Sequence, residues 1–573
     1  MVQDPWQDVL DETVRLRREA EESLGYPHLD IPFQVPPEGF GDIGFPAHGY
    51  SKEVRKPPQW VAEELAAAMT PGLYLAHHEA KSGYVNSFLH YPAFGERTLR
   101  CILDEQEDYG QVAPTGKRVI VEHTSINPTG PVHIGRARNS IIGDTLSRLL
   151  RRSGYDVTRE FLVNDAGKQV LTLVWGYENV PEEELEPPER DKEDHRLVRF
   201  YRKASELLEN PEVAQQVEEM VRRFEAGDEE LMGRVRDICR RMMDGILKTL
   251  SRMYVEFDSL FWEDQTILDG SAKKVVKQLQ ESGHCQEEDG ALYVDMEPYG
   301  ITGRDTRWFI TKKDGTTLYT TRDLAYHLDK FRRCDVAINV LGEDQKLAYQ
   351  QLPVALRLMG VEREVEPIFY AHVSLPEGRL STRKGRVVNL DDLMDEAEER
   401  AFREVQKRRE DLSEEEMRRI AEAVGIGALR YNIVKVQPEK RILFRWEEAL
   451  SLEGQTAPFL QYSYARACGI LRKAATTDEW DPRLLEHPQE LALLKLIARF
   501  PSTVRECAAL RRPHQMANVV HELATAFNQF YRDCPVLQAE PPLRAVRLAL
   551  VEAFRIVLGN ALGCLGVKAL AEM

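Results

Sequence analysis

Val119-Ile120-Val121, followed by His133-Ile134-Gly135-Arg136-Ala137-Arg138-Asn139, is the stretch that decides the fold. The first three residues form an apolar run, and an amphipathic segment begins near Ile141. An imidazole, a glycine and a cluster of donors therefore meet where a strand hands over to a helix. In an open parallel sheet, nucleotides bind at that junction, at the carboxyl end of the strand and the amino end of the helix.

Working outward, Ile142, Leu146, Leu149 and Leu150 give the helix its apolar stripe, and Gly154 ends it. Val157, Phe161 and Val163 then mark a strand that runs into the polar loop Asn164-Asp165-Ala166-Gly167-Lys168-Gln169. Much later, a strand is predicted over Cys334 to Leu341, a helix over Lys346 to Met359 and a strand over Ile368 to Leu375. Strands alternating with helices predict a doubly wound α/β core with a parallel sheet. Residues 1–112 read as a separate α+β module, with helical segments around a Pro/Gly-rich part and a strand after Gly83. Residues 113–395 hold the α/β core, interrupted over about 177–265 by a highly charged helical insertion with an expected disordered hinge at Pro181 to Pro188. Residues 396–573 show helical periodicity throughout and predict an all-α domain with little strand character.

Bulk properties narrow the class. The chain has 573 residues, 43% of them hydrophobic and 30% charged, which fits about three or four soluble domains. No apolar run approaches the roughly 18 residues that span a bilayer, and the acidic start of the chain lacks a secretion signal, so a cytoplasmic protein is expected. The eight cysteines are scattered with no CxxC pair, which argues against a zinc site or a disulfide framework. A net charge of −18 argues against nonspecific nucleic-acid binding but leaves room for local basic tracks such as Lys407-Arg408-Arg409.

Four groups of residues carry chemistry. His133 can donate to phosphate oxygens, and Gly135 lets a nucleotide approach the backbone. Arg379 to Arg386 places four cations in eight residues beside Ser381, Thr382 and Gly385, which suits a phosphate clamp. Glu122 and Asn127 flank the first strand end, and Tyr319 and Asp323, four apart, share one helix face. Converging carboxylates suit a guanidinium, whose planar fork makes paired hydrogen bonds. Finally, Phe459, Tyr462, Tyr464 and Arg466, with Phe527, Phe530, Tyr531 and Arg532, interleave rings and cations. Most of these rings are expected in the core, with one or two left to stack on RNA bases.

In order, these blocks resemble the class I aminoacyl-tRNA synthetases, and arginyl-tRNA synthetases over nearly the whole chain. The match runs through Val121 to Pro131, Asn164 to Gln169, Leu318 to Asp323, Ser381 to Arg386 and Phe459 to Arg466. The resemblance implies a Rossmann-like catalytic core and ligation of L-arginine to tRNA(Arg) through arginyl-adenylate, with ATP and Mg²⁺ as the substrate complex and no structural metal. It implies ATP contacts from His133, Gly135, Asn139, His372, Val373, Ser381, Thr382, Arg383 and Lys384. Glu122, Ser125, Asn127, Tyr319, Asp323, Asp344 and Gln345 would bind arginine. Asn86 and Phe88 would touch the tRNA elbow, and Tyr464, Arg466 and Met573 the anticodon. His133, Arg136, Lys384 and Lys117 are the catalytic candidates, Lys117 as substitute for a missing loop lysine. Two departures stand out: Arg136 replaces the second histidine of the first signature, and Arg379-Leu380 replaces the Lys-Met of many relatives. A monomer, no membrane and a requirement for tRNA during amino-acid activation are the family expectations. The alternative is a catalytically inactive paralogue that binds RNA or acts as a scaffold.

Overall fold

The computed structural model describes residues 3–37, 39–303, 306–374, 389–474 and 479–573. At its centre five parallel strands, β1 (Arg118–Glu122), β2 (Asp156–Val163), β3 (Ser259–Trp262), β4 (Val336–Gly342) and β5 (Val365–Tyr370), lie in the order β5-β4-β1-β2-β3. The chain steps outward from β1 to β3, then returns to place β4 on the other side of β1. The direction of winding reverses there, so a crevice opens between the carboxyl ends of β1 and β4. Helices α1 (Ile134–Arg152), α2 (Lys168–Asn179), α3 (Tyr319–Arg333) and α4 (Lys346–Leu358) flank the sheet. Covered on both faces, β1 is buried from Val119 through Glu122, which is why it reads as an unbroken apolar run rather than an alternating one.

Three findings depart from the sequence expectations. The strand β3 and a small antiparallel sheet (Cys285–Glu288, Ala291–Asp295, Arg307–Phe309) lie in segments whose charges and short length hide a period of two. Val373–Ser374 pairs in parallel with Ile442–Leu443, so the helical region contributes a strand of its own to the catalytic side. The Pro181–Pro188 stretch is not a disordered hinge: Arg199 holds it, donating to Glu182 Oε1 at 2.6 Å and to the Glu186 carbonyl at 3.0 Å. The insertion itself consists of helices Glu193–Leu207, Pro211–Glu225 and Glu229–Arg252 between α2 and β3.

The N-terminal module packs helices against an antiparallel sheet with Tyr84–Leu89 in the middle. Its first helix, Pro5–Leu24, is capped by Asp4, which accepts from the Trp6 and Gln7 amides. The same Asp4 accepts from Arg505 at 2.5 Å, and Asp42 accepts from Lys495 at 2.8 Å, which docks this module on the helical domain.

The helical domain is built around Pro541–Leu565. Contrary to the expectation from apolar runs, this helix is long and apolar enough to cross a membrane, but 78% of its apolar window is buried inside the protein. It ends at Gly566 (φ 65°), where a Cβ would collide with the Arg430 guanidinium. Arg430 is fully buried and donates to Asp144 of α1 at 2.5 Å, to the Met253 carbonyl at 2.6 Å and to the Leu565 carbonyl at 3.1 Å. One guanidinium thus ties the first signature helix, the insertion and the helical domain together.

Candidate active site

The crevice begins with the turn after β1. Thr124 (φ 71°) and Ser125 (φ 35°) adopt the left-handed conformation that costs non-glycine residues roughly 1–2 kcal/mol each. Asn139 holds the turn: its Oδ1 accepts from the Thr124 amide at 2.7 Å, and its Nδ2 donates to the Val340 carbonyl of β4 at 3.0 Å. The buried Asn139 amide therefore stitches β1 to β4 under the crevice. His133 caps α1, its Nδ1 accepting from the Gly135 amide at 3.0 Å. Arg136 projects into solvent one turn on, beside the positive end of the helix dipole. Arg138 turns inward, fully buried, and donates to the carbonyls of Ala371, Lys440 and Gln437, each at 2.7 Å. Burial pushes Arg138 down to about 10, against the partly offsetting charges of Glu439 and Glu343. That residue joins α1 to the segment carrying exposed His372 and buried Val373.

Across the crevice, Glu122 is buried; its Oε1 accepts from Ser125 Oγ at 3.2 Å and its Oε2 from Lys330 Nζ at 2.6 Å. Tyr319 opens α3 with its ring 62% exposed, and Asp323, one turn later, is half-buried. Asn127 donates to Gln169 Oε1 at 2.7 Å, joining the first loop to α2. Asp344 and Gln345 form an exposed turn immediately after β4. Glu122, Ser125, Asn127, Asp344 and Gln345 thus come from the carboxyl ends of β1 and β4, while Tyr319 and Asp323 lie in the first turns of α3, the helix whose Lys330 reaches Glu122.

Lys117 does not join this group, which corrects its assignment as a substitute lysine. It precedes β1, at the amino end, and at about 3.3 Å per residue the strand carries it roughly 16 Å from the Glu122 end. Ser381, Thr382, Arg383 and Lys384 lie outside the described residues. The helix that follows them is anchored to the crevice: the Leu390 amide donates to the Val132 carbonyl at 2.8 Å, and Asn389 bridges His133.

Sequence reasoning passed over several residues that shape the site. Glu160, fully buried next to Glu122, accepts from Tyr326 at 2.8 Å and from Arg333 at 2.6 and 3.0 Å. Burial alone would raise its pKa, but the Arg333 hydrogen bonds and the Lys330 and Arg333 charges bring it below the usual carboxylate value. Arg322 pairs with Glu263 at 2.7 Å and Glu225 at 3.0 Å, fastening α3 to the strand β3 and the insertion. None of these could be singled out beforehand, because their partners lie far away in sequence.

Among the described residues, Asp194, His195 and Asp391 have donor atoms within 4.8 Å of one another. Protein cations occupy that cluster: Lys192 lies 2.5 Å from Asp391 and 3.2 Å from Asp194, and Arg252 lies 3.0 Å from Asp391. It reads as an ionic tie between the insertion and the helix Leu390–Gln406.

The helical domain presents a groove of about 690 Å³ lined by Arg409, Tyr462, Arg466, Arg472, Tyr531 and Met573, among others. Arg466 sits between two exposed rings, 4.6 Å from Tyr462 and 4.8 Å from Tyr531. Phe527 and Phe530 are core, as expected for most of the aromatics. Tyr464 lies apart, accepting from Arg555 at 3.1 Å. In the N-terminal module Asn86 is buried against Gly44, and Phe88 stacks on His77 at 4.3 Å.

Residues 98–446 match the family of class I tRNA synthetases (R), catalytic domain. The chain belongs to that family. Residues 8–89 match the arginyl tRNA synthetase N terminal domain and residues 460–573 the DALR anticodon binding domain. The chain is 46% identical to the arginine–tRNA ligase of Methanocella arvoryzae, over 99% of each chain. It is 42% identical to that of Methanothermobacter thermautotrophicus, over 97% of this chain and 99% of the other. The solved arginyl-tRNA synthetase of Thermus thermophilus superposes with a TM-score of 0.82 at 28% identity, covering 98% of this synthetase and 99% of that one.

Proposed function

We propose that this chain ligates L-arginine to tRNA(Arg), through arginyl-adenylate formed from ATP. Glu122 at the carboxyl end of β1 and Asp323 on α3, linked through Lys330, Asn339 and His327, support the arginine reading most directly. A guanidinium meets both carboxylates through its planar fork, whereas the lysine ammonium cannot bridge them in the same geometry. Ser125, Asn127, Tyr319, Asp344 and Gln345 complete the amino-acid pocket. His133, Gly135 and Arg136 at the start of α1 would face the triphosphate, with Asn139 acting through the backbone turn it holds. His372 and Val373 would flank the adenine, and Ser381 to Lys384 would close on the phosphates. Mg²⁺ would accompany ATP through oxygens of the nucleotide.

In the reaction the arginine carboxylate oxygen attacks the α-phosphorus and pyrophosphate leaves. The tRNA's terminal ribose hydroxyl then attacks the acyl carbon and AMP leaves. The residues at the crevice position and stabilise these displacements without a covalent nucleophile. In this reading residues 1–112 meet the tRNA elbow, 113–395 carry out the chemistry and 396–573 read the anticodon, with Tyr462, Arg466 and Tyr531 as a stacking platform and Met573 at its edge. The chain acts as a cytoplasmic monomer.

ATP–pyrophosphate exchange across the amino acids, with and without tRNA, tests the reading. Exchange with arginine alone among them, and only with tRNA present, is expected. Exchange with another amino acid would overturn the specificity, and complete inactivity with arginine and tRNA would overturn the catalytic reading.

A further inference from the structure

The polar side chains behind the pocket form one continuous row. In the parallel register Asn339, Glu122, Glu160 and Ser259 are neighbours on four adjacent strands, β4, β1, β2 and β3. Adjacent strands lie about 4.8 Å apart, so two buried carboxylates, Glu122 and Glu160, stand side by side at the crevice floor. Unmatched charges at such depth would cost several kcal/mol each.

Helix α3 supplies the match from one face, but unequally. Arg333 and Tyr326 donate to Glu160 and not to Glu122, Arg333 also pairing with Asp329 at 2.7 Å. Lys330, with no solvent exposure, uses its donors on Glu122 Oε2 at 2.6 Å and Asn339 Oδ1 at 2.9 Å, and its ammonium lies 4.3 Å from the centre of the Tyr326 ring. With Asn339 Oδ1 taken, its Nδ2 faces His327 Nε2 at 3.0 Å. That makes Nε2 the acceptor and puts the imidazole proton on Nδ1. Nδ1 in turn lies 2.8 Å from the Asp323 carbonyl and 3.3 Å from its carboxylate. The chain Glu122–Lys330–Asn339–His327–Asp323 therefore joins the two carboxylates of the proposed pocket through the protein interior.

We infer that Lys330, Asn339 and His327 are positioning residues that make the two pocket carboxylates unequal and thereby set specificity for the cationic side chain. This rests on the arginine-binding reading of Glu122 and Asp323. Lys330 balances the charge of Glu122 and pins its Oε2, so Glu122 offers the substrate a single, oriented acceptor. Among the described residues no lysine or arginine lies within ion-pair distance of Asp323, although the Lys330 charge reaches it; half-open to solvent, Asp323 draws the guanidinium. His327 orients it through the helix backbone and the carboxylate. Buried this completely, Lys330 has no route to ATP or to RNA, so its effect falls on the amino acid alone.

The test uses the full chain with tRNA. Lys330→Met leaves Glu122 a buried, unpaired carboxylate beside Glu160, Tyr326 and Arg333. Losing a hydrogen bond to a charged group predicts a rise in arginine KM of roughly ten- to a hundredfold, with ATP KM within about twofold. Because Lys330 acts on arginine only through Glu122, the double variant Lys330→Met/Glu122→Gln should raise arginine KM no further than Glu122→Gln alone. His327→Leu, which leaves the Lys330–Glu122 pair intact, should raise arginine KM about tenfold by the same reasoning and covers the case in which Lys330→Met fails to fold. Unchanged arginine KM in the folded variants, equal changes in arginine and ATP KM, or additive effects in the double variant would overturn the inference. Asp323→Ala and Glu122→Gln, run in parallel, separate the two levels. If these leave arginine KM unchanged, the pocket reading fails; if they raise it while Lys330→Met and His327→Leu do not, only the positioning role fails.

Discussion

The crevice floor and the groove of the helical domain use cations in opposite ways. At the floor Lys330 and Arg333 are tied to buried carboxylates at 2.6 Å, in a low-dielectric setting that tolerates one arrangement. In the groove, Arg466 lies between two exposed tyrosines and is held by Asn528, and Arg472 pairs with Glu572 at the surface. The first arrangement, in the proposed reading, would give a small ligand a rigid site whose geometry is settled before binding. The second, in the proposed reading, would leave aromatic faces and solvated charge for a large partner whose bases stack with little directional demand. Rigidity is obtained with buried charge and adaptability with exposed rings.

Breaking a buried pair should give the largest effect. Arg430→Leu leaves Asp144 to Arg148 and the more distant Arg159 and removes the donor to the Met253 and Leu565 carbonyls, and stability to urea should fall by about 3–5 kcal/mol. A loss under about 1 kcal/mol would mean that buried charge is not what holds the domains at α1.

A pH titration examines the same interior without mutation. Burial pushes His123 down to about 4, whereas the unfolded imidazole takes its proton near ~6.5. Protons therefore favour the unfolded chain throughout that window. Stability is full above about pH 6.5 and should decline by about 3 kcal/mol as pH falls to about 4. Denaturant midpoints across this range should show the decline, and His123→Gln should flatten it.

In the proposed pocket, Asp323→Ala should raise arginine KM about thirtyfold or more while leaving ATP KM within about twofold. Equal loss of both would make Asp323 a structural residue. At the groove, Tyr462→Ala or Tyr531→Ala should weaken tRNA binding by about 1–3 kcal/mol and leave tRNA-saturated turnover nearly intact. Arg472→Ala should reduce the salt dependence of that binding by roughly one phosphate contact. If the tyrosine variants bind tRNA normally, the contrast between the two regions collapses. The smallest effect is expected for Lys117→Ala: turnover and stability should stay within about 0.5 kcal/mol of the parent, since its side chain is exposed at the far end of β1.

The α/β core was legible because Val119 to Val121 and the Ile142–Leu150 stripe carry local periodicities that survive any tertiary context. Glu122, Tyr319 and Asp323 could be proposed as a set only through the family blocks around them. The strand β3 was not, because Ser259–Trp262 follows a charged insertion and is only four residues long. Lys117 was misplaced for a related reason: proximity to a signature in sequence says nothing about which end of a strand a side chain occupies. Asn86 and Tyr464 matched contact positions of the family, yet packing turned the first inward and set the second against Arg555.

By itself the sequence determined the alternation of strands and helices, the helical C-terminal domain and the residues that mark a class I synthetase, because periodicity and contiguous motifs are local properties of a chain. Only the tertiary structure decided that Glu122 stands beside Glu160, that Lys330 and Asn339 lie behind them, and that Arg430 and Arg138 fasten three regions to one helix. Those pairings join residues as many as 302 positions apart. They follow from strand register and helix packing, and a buried charge finds its partner only once both are set.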